Sequence, residues 1–216
     1  MNRAISFAIF LSIILTISCY GQTPYKIPFG SSKNTIELTV ANESAQSVSS
    51  LTISGSSIPS WMKLNPAQQQ LSVLVSKKEQ IARFSFSVNK YAPVKKSEKI
   101  VFAVTTPSGD KWTKEITIQV EAPDRFELFQ NFPNPFNPST KFAYMLKEDS
   151  HVLLSIYNIL GQEIDHPIDE DQVAGYHEKE WNAGNVASSV YFIRISATDK
   201  NGKDLFHDIK KMMVMR

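Results

Sequence analysis

Apolar and polar side chains alternate with a period of two through most of the chain, and this alternation constrains the fold more than any other feature. Ile36, Leu38 and Val40 are separated by Glu and Thr residues. The same period returns in five later segments, which contain Leu51 and Ile53; Leu71, Val73 and Val75; Phe84, Phe86 and Val88; Ile100, Phe102 and Val104; and Ile116, Ile118 and Val120. Successive side chains of a strand point to opposite faces, so each segment predicts a strand with one buried and one solvated face.

Turn-forming residues separate these segments. Asn65-Pro66 and Pro107-Ser108-Gly109-Asp110 are examples, because Pro, Gly, Asn and Asp favour turns. About seven short strands punctuated in this way favour a sandwich. Residues 22–124 are therefore predicted to form one immunoglobulin-like antiparallel β-sandwich.

The composition changes after residue 125, where a proline-rich segment precedes a second group of predicted strands. Proline fixes φ and pushes the preceding residue to extended geometry, so this segment is stiff, and we expect Phe132 and Phe136 to turn inward. Strands are predicted to follow at residues 142–146, 152–156, 177–181, 190–197 and 209–215. Residues 125–216 therefore predict a second sandwich, and the chain is all-β with two Ig-like domains in tandem.

Residues 1–21 are predicted to be a signal peptide. Arg3 supplies a positive charge, and Ala4–Ile17 form an apolar run. This run is shorter than the about 20 residues that span a bilayer. Small residues near its end favour cleavage between Gly21 and Gln22.

Cys19 is the only cysteine of the chain and lies in this predicted signal peptide. It could instead be an acylated lipobox cysteine, but Thr16 stands where a lipobox prefers Leu. Removal with the signal peptide is the favoured interpretation. The mature chain would then contain no thiol for a disulfide, a metal site or a nucleophile.

The charge distribution argues against nucleic acid as a partner. Residues 22–124 carry twelve Lys and Arg against eight Asp and Glu, a net charge of +4; residues 125–216 carry ten against thirteen, a net charge of −3. Neither segment has the clustered basic stripe that a phosphate backbone requires.

The sequence contains no recognisable catalytic set. HExxH, GxSxG and P-loop motifs are absent, and all four histidines lie in residues 125–216. The acidic residues at 165–171 and 199–204 could bind a metal ion. A solvated acidic loop explains the first group better, and a hairpin turn explains the second. We therefore expect no enzyme activity, no cofactor and no metal site.

Three aromatic residues of the first domain could stack against a ligand such as a sugar: Trp61, Tyr91 and Trp112. Core packing explains Trp61 better, because it follows Pro59 at the end of an edge segment and an indole buries much apolar area. Core packing is also the favoured interpretation for Trp112. Of the three residues, Trp112 is nevertheless the one that we name as the candidate ligand contact. The lysine pairs at residues 77–78 and 95–96 are expected to be solvated loop or edge residues.

Five motifs follow one another in the second domain. They are Asn131-Phe-Pro-Asn-Pro-Phe-Asn-Pro-Ser-Thr140, Ile156-Tyr-Asn-Ile-Leu-Gly-Gln-Glu163, Ala174-Gly-Tyr-His-Glu-Lys-Glu-Trp181, Val190-Tyr-Phe-Ile-Arg194 and Lys210-Lys-Met-Met-Val-Met-Arg216. Together they closely resemble the type A C-terminal sorting domain of type IX secretion, with one departure at Ser189, where the family commonly has Gly. The first domain more loosely resembles bacterial Ig-like modules, through residues 37–42, 58–64 and 84–88.

The resemblance assigns a sorting signal to eleven residues: Pro133, Asn134, Pro135, Phe136, Gly161, Gly175, Trp181, Tyr191, Lys210, Lys211 and Arg216. It implies passage through the periplasm, recognition by the outer-membrane translocon, and delivery to the cell surface or the medium. A surface sortase commonly removes the domain. The signal is concentrated in residues 211–216, and their apolar strand could add to an open sheet of the receptor.

Three functions fit the sequence. The leading hypothesis is a non-enzymatic surface or secreted protein whose first domain is a structural or interaction module that contacts a polysaccharide or a surface protein. A carbohydrate-binding module is the first alternative. A flagellar hook-capping-like Ig protein is the second, although flagellar export does not use a signal peptide.

Overall fold

The computed structural model describes residues 4–11 and 23–215, and the chain forms two compact units, Met1–Glu121 and Ala122–Arg216. Strands, turns and irregular segments make up the described residues of both units. The described part of the chain has no helix that is long and apolar enough to cross a membrane. The all-β fold predicted from the period of two is confirmed.

The first unit contains two sheets. The strand order in one of them is β1-β3-β7-β5, and its members are β1 (Ala4–Leu11), β3 (Asn34–Asn42), β5 (Met62–Asn65) and β7 (Glu79–Val88). The order in the other is β2-β9-β8-β4-β6, with β2 (Tyr25–Ile27), β4 (Val48–Ser57), β6 (Gln68–Leu74), β8 (Ser97–Thr105) and β9 (Lys111–Val120). Pairing is antiparallel except between β1 and β3 and between β2 and β9.

The core of the first unit lies between these sheets. Phe84 and Phe102, one from each sheet, are fully buried, and their ring centroids are 5.2 Å apart. Full burial of an apolar side chain of this size stabilises the fold by about 1.5–3 kcal/mol. Trp61 is 9% exposed, and its Nε1 donates a hydrogen bond to Glu98 at 3.1 Å. The prediction that Trp61 packs in the core is confirmed.

Strand β6 differs from the predicted pattern. Leu74 is the fully buried residue, whereas Val73 and Val75 are 43% and 50% exposed. The neighbouring strand β4 contains Ser50 in a left-handed conformation with φ of 55°, which interrupts the alternation of the paired strands. The prediction that Val73 and Val75 face inward was therefore wrong. The four lysines expected to be solvated are exposed as predicted: Lys77, Lys78, Lys95 and Lys96.

Strand β1 belongs to the predicted signal peptide. It pairs with β3 in parallel, from Ala4 opposite Thr35 to Leu11 opposite Asn42. Cys19 and the predicted cleavage point lie outside the described residues, so cleavage and lipidation stay predictions. Removal of residues 1–21 would leave β3 as the edge strand of its sheet.

The second unit is also built from two sheets. One has the order β10-β11-β14, with β10 (Glu127–Leu128), β11 (Ser139–Leu146) and β14 (Gly175–Asn182). The other has the order β13-β12-β15-β16, with β12 (Ser150–Tyr157), β13 (Glu163–Gln172), β15 (Ser189–Thr198) and β16 (Asp204–Val214). All named strands of this unit pair antiparallel.

A separate core fills the second unit. It combines Phe142, Tyr144 and Leu146 of β11 with side chains from β12, β15 and β16. The Tyr144 hydroxyl donates to the Gln172 side chain at 2.7 Å, and burial raises the pKa of Tyr144 to about 12. A buried phenol with a bonded hydroxyl adds apolar area without an unsatisfied polar atom.

The acidic residues 165–171 do not form the predicted loop. They lie in β13, which is the edge strand of its sheet and is exposed at most positions. Charged side chains on an edge strand discourage pairing with another chain. The prediction of solvation was correct and the prediction of a loop was wrong, because a charged edge strand and a loop have the same composition.

Candidate functional site

The proline-rich segment, residues 130–138, lies along the outer edge of β16. Its Phe136 N–H donates to the Met213 carbonyl at 3.0 Å, and the Phe136 carbonyl accepts from the Met215 N–H at 3.0 Å. Asn134 Oδ1 accepts from the Met213 N–H at 2.9 Å, and Asn134 Nδ2 donates to the Lys211 carbonyl at 3.3 Å. Two parts of the predicted sorting signal, 77 or more residues apart, are thus joined directly.

Aromatic packing holds this segment from inside. Phe136 is 2% exposed, as predicted, and its ring centroid is 5.9 Å from that of Trp181. Trp181 also stacks on Phe142 at 6.0 Å. Its Nε1 donates to Asp165 Oδ2 at 2.7 Å, which connects β14 to β13 in the other sheet. Trp181 therefore supports both the segment and the sandwich.

Phe132 does not turn inward. It is 80% exposed, and its N–H and carbonyl pair with Lys141 at 3.1 and 3.0 Å. The inward position belongs to the preceding residue, Asn131, which is 2% exposed. Neighbouring residues of an extended segment point to opposite sides, so the prediction for Phe132 was wrong.

The hypothesis that the last strand offers an open edge needs correction. Between Lys211 and Met215, the edge of β16 that faces away from β15 is bonded to the proline-rich segment. Strand addition requires unpaired N–H and C=O groups. What β16 leaves exposed in this stretch is its outer face, with Lys211, Met213 and Met215.

The remaining predicted signal residues are spread over the second unit. Gly161 lies in a turn with φ of 77°, and Gly175 is the first residue of β14 with φ of 134°; glycine adopts both values without strain. Tyr191 is buried next to Met212 and donates from its hydroxyl to the Ala187 carbonyl at 2.9 Å. Lys210 pairs with Asp208 at 2.9 Å. Arg216 lies outside the described residues.

Two polar residues of the proline-rich segment were missed as candidates. Gln130 Nε2 donates to the Lys211 carbonyl at 2.8 Å. Asn131 Nδ2 donates to the Pro133 carbonyl at 3.0 Å and to Thr140 Oγ1 at 2.9 Å. Proline has no N–H to donate. Amide side chains close to prolines were therefore the sequence signal that could have identified Gln130 and Asn131 as hydrogen-bond donors.

One histidine of the second unit is held between two carboxylates. Nδ1 of His151 is 2.9 Å from Asp171, and Nε2 is 2.9 Å from Asp169. These hydrogen bonds, first that of Asp171 and then that of Asp169, raise the pKa of His151 above its usual value. Both ring nitrogens are occupied. Within residues 4–11 and 23–215, no three His, Cys, Asp or Glu residues are placed to share a metal ion.

The predicted ligand contact Trp112 lines an open depression at one end of the first unit. Its volume is about 660 Å³, and most of the residues that line it are polar, although the surface they present to it is more apolar than polar. The lining residues come from the β3–β4 and β8–β9 connections and the adjoining strand ends: Asn42, Glu43, Ser44, Ser47, Val48, Ser49, Thr106, Pro107, Ser108, Asp110 and Trp112. We call this feature the Trp112 depression. Part of Trp112 packs against the core and part remains exposed.

Both loops beside Trp112 are fixed by hydrogen bonds. Asn42 is 1% exposed, and its Nδ2 donates to the carbonyls of Gln46 at 2.8 Å and Leu74 at 3.0 Å. Its Oδ1 accepts from the Ser44 N–H at 3.0 Å. In the other loop, the Asp110 carbonyl accepts from the Thr106 N–H at 3.0 Å. The depression is therefore preformed.

Residues 130–206 match the family described as Secretion system C-terminal sorting domain. The match covers most of the second unit, including the proline-rich segment, and ends inside β16. The second unit is therefore a type IX secretion C-terminal sorting domain. Such a domain interacts with the type IX translocon machinery and directs export through the periplasm to the cell surface or the extracellular space, which is the localisation of this protein.

Comparisons with other proteins add little to this assignment. No curated protein matches the chain. Dimeric latent PorU from Porphyromonas gingivalis is similar at 13% identity and a TM-score of 0.35, over 94% of this chain and 20% of that one. The E. coli chaperone DraB has 13% identity and a TM-score of 0.31, over 91% of this chain and 96% of that one. The fibronectin(III)-like modules of Clostridium thermocellum CbhA have 13% identity and a TM-score of 0.27, over 92% of this chain and 93% of that one. This chain spans one fifth of PorU, and none of these likenesses assigns it a function.

Proposed function

We propose that the first unit is the cargo of this exported protein and acts without catalysis, as a structural or interaction module. The composition of the Trp112 depression carries the proposal. Its lining contains no histidine, cysteine or lysine to activate a nucleophile. The hydroxyls of Ser44 and Ser108 donate to Asn42 and Asp110, at 2.6 and 2.7 Å.

The two carboxylates of the depression favour binding over hydrolysis. Glycoside hydrolysis needs one carboxyl that stays protonated, which enzymes achieve by placing it in an apolar pocket. Glu43 and Asp110 are both exposed. Neither carboxyl therefore lies in such an apolar pocket, and the oxygens of both can accept hydrogen bonds from a ligand.

We also propose that a surface sortase removes the second unit after export, as its family resemblance implies. The sorting-domain match supports a type IX route over the flagellar hook-capping alternative. The delivered product would then be the first unit, either released or attached to the surface. A surface polysaccharide or a surface protein would be its partner.

Fractionation of the native host tests both parts. Mass spectrometry of the surface and medium fractions should find peptides of residues 22–124 and no peptides of the sorting domain. The purified surface form should turn over no polysaccharide, ester or peptide substrate. Turnover that Glu43→Gln or Asp110→Asn abolishes would contradict the non-catalytic role, and a surface form that retains residues 125–216 would contradict sortase removal.

A further inference from the structure

We infer that the Trp112 depression binds an uncharged, polyhydroxylated ligand the size of one or two sugar units. The inference rests on the proposed function and specifies the ligand class of that module. The volume of about 660 Å³ lies within the range of small-molecule sites, roughly 300–1,000 Å³. Of the predicted aromatic candidates, Trp112 is the one that lines this depression.

Trp112 has the two properties that stacking on a sugar requires. Part of its ring packs against the core of the first unit, so its orientation is fixed before a ligand arrives. The remainder is exposed in the depression, and the indole N–H has no hydrogen-bond acceptor among the described residues. An indole therefore offers an apolar face and one donor to the same ligand.

The rim supplies acceptors for ligand hydroxyls. Asp110 Oδ2 accepts from Ser108 at 2.7 Å and from Thr106 at 3.2 Å, which holds the carboxylate in place. Its other oxygen has no partner within the described parts of the chain. The Glu43 carboxylate likewise bonds to no residue that the structure describes. Hydrogen bonds from hydroxyls to carboxylates are shorter and stronger than those between neutral groups.

The charge of the lining selects among small polar ligands. It contains two carboxylates and no lysine or arginine, so phosphate, sulfate and uronate groups are repelled. An organic cation could stack on Trp112, but it would leave the acceptors and hydroxyls of the rim without donors. The hydroxyls of Ser47 and Ser49 can both donate and accept, as a ring of ligand hydroxyls requires.

A glycan array that carries neutral, anionic and amino sugars tests the inference on the full chain. Neutral saccharides should bind, and Trp112→Ala should weaken binding by about tenfold or more, equivalent to about 1.4 kcal/mol. Trp112→Phe keeps an aromatic face and should lose less. Glu43→Gln and Asp110→Asn should each weaken binding, whereas Glu115→Gln and Tyr91→Ala, which change residues outside the lining, should not.

The outcomes separate this inference from the proposed function. Absence of binding to neutral saccharides, binding that Trp112→Ala and Glu43→Gln both leave unchanged, or preference for anionic sugars or for choline in a parallel titration would overturn it. Mass analysis of the bound saccharides is done in parallel. A cleaved product would overturn the non-catalytic role instead, while saccharide recognition at Trp112 would stand.

Discussion

Asn42 is a buried amide whose hydrogen bonds hold one wall of the Trp112 depression. Asn42→Ala removes the partner of the Gln46 and Leu74 carbonyls and of the Ser44 N–H. A buried polar group left unbonded costs about 1–3 kcal/mol, so the first unit should lose at least about 2 kcal/mol of stability. Hydrogen exchange in increasing urea measures this for each unit separately.

The matched control for Asn42 is Gln70→Ala, which changes an exposed amide of strand β6 in the other sheet of the first unit. A surface change of this kind should stay within about 0.5 kcal/mol. Equal losses in the two variants would mean that the Asn42 amide does not fix the loop.

His151 gives the second unit a pH-dependent stability. Asp171 and Asp169 favour the charged imidazole, so the pKa of His151 in the folded protein lies above the usual 6.5. The contribution is fully present below pH 6.5 and is lost as the pH rises through the raised folded pKa. The stability difference between the wild type and His151→Gln should therefore shrink with rising pH, which urea unfolding over a pH series measures.

His207→Gln is the control for this effect, because His207 is exposed on β16 and has no hydrogen bond to a described residue. It should leave the pH profile of the second unit unchanged. Asp171→Asn should reduce the pH dependence that His151 gives to the unfolding free energy of the second unit, and His151→Gln should abolish it. A difference between wild type and His151→Gln that grows with pH would show that the carboxylates do not stabilise the imidazolium.

Single residues also show how far the alternation pattern predicts burial. It places Ile36, Leu38 and Val40 correctly in the core. It fails at Val73, because the left-handed backbone at Ser50 in the partner strand interrupts the period, and polarity gives no sign of that conformation. It fails at Phe132, where hydrophobicity alone predicts that the aromatic ring points inward. Asn131 occupies the inward position instead, because its side chain bonds to Thr140 there.

At the scale of elements, the proline-rich segment acts as an edge cover for β16. Asn134→Ala removes the acceptor of the Met213 N–H and leaves the two main-chain bonds of Phe136 intact. We expect the Met213 amide to exchange about tenfold faster or more, because it then depends on water for a partner. Amide exchange resolved by NMR measures this directly.

Asn137→Ala is the control within the same segment, since Asn137 is exposed and its side chain bonds to no described residue. In Asn137→Ala, the Met213 amide should exchange at the wild-type rate. Unchanged exchange in Asn134→Ala would mean that the Phe136 main chain alone covers the edge.

The order of the five motifs was enough to predict the sorting domain, but it could not predict this edge cover. The contact joins residues 77 to 81 positions apart, and no local pattern encodes such a distance. Strand β13 was missed for another reason. Its acidic run has the composition of a loop, and only its hydrogen bonds to β12 from Glu163 to Gln172 make it an edge strand.

At the scale of the whole molecule, the sorting domain and the Trp112 depression belong to different units. Each unit has its own hydrophobic core, and the predicted signal residues from Pro133 to Lys211 lie in the second unit. The Trp112 depression lies wholly in the first unit. Variants that abolish ligand binding should therefore leave export unaffected, and export variants should leave the depression intact.

Between Lys211 and Met215, β16 leaves its outer face exposed, and we expect the translocon to recognise this face. Changing its exposed residues together, Lys211→Gln, Met213→Gln and Met215→Gln, should leave the unfolding free energy of the second unit within about 0.5 kcal/mol per residue. Surface delivery should fall and the chain should accumulate in the periplasm. Deletion of residues 209–216 should also trap the chain, but it removes the buried Met212 and Val214 and so confounds recognition with unfolding.

Two controls distinguish recognition of this face from a general effect of surface changes. Lys141→Gln with Lys179→Gln alters exposed residues on β11 and β14, in the other sheet, and should permit normal delivery. Met212→Asp places a charge in the core and should trap the chain by unfolding the domain, which a lost unfolding transition reveals. Normal delivery of the outer-face triple variant, with its fold intact, would place the recognised surface elsewhere, and the exposed Phe132 would be the next position to change.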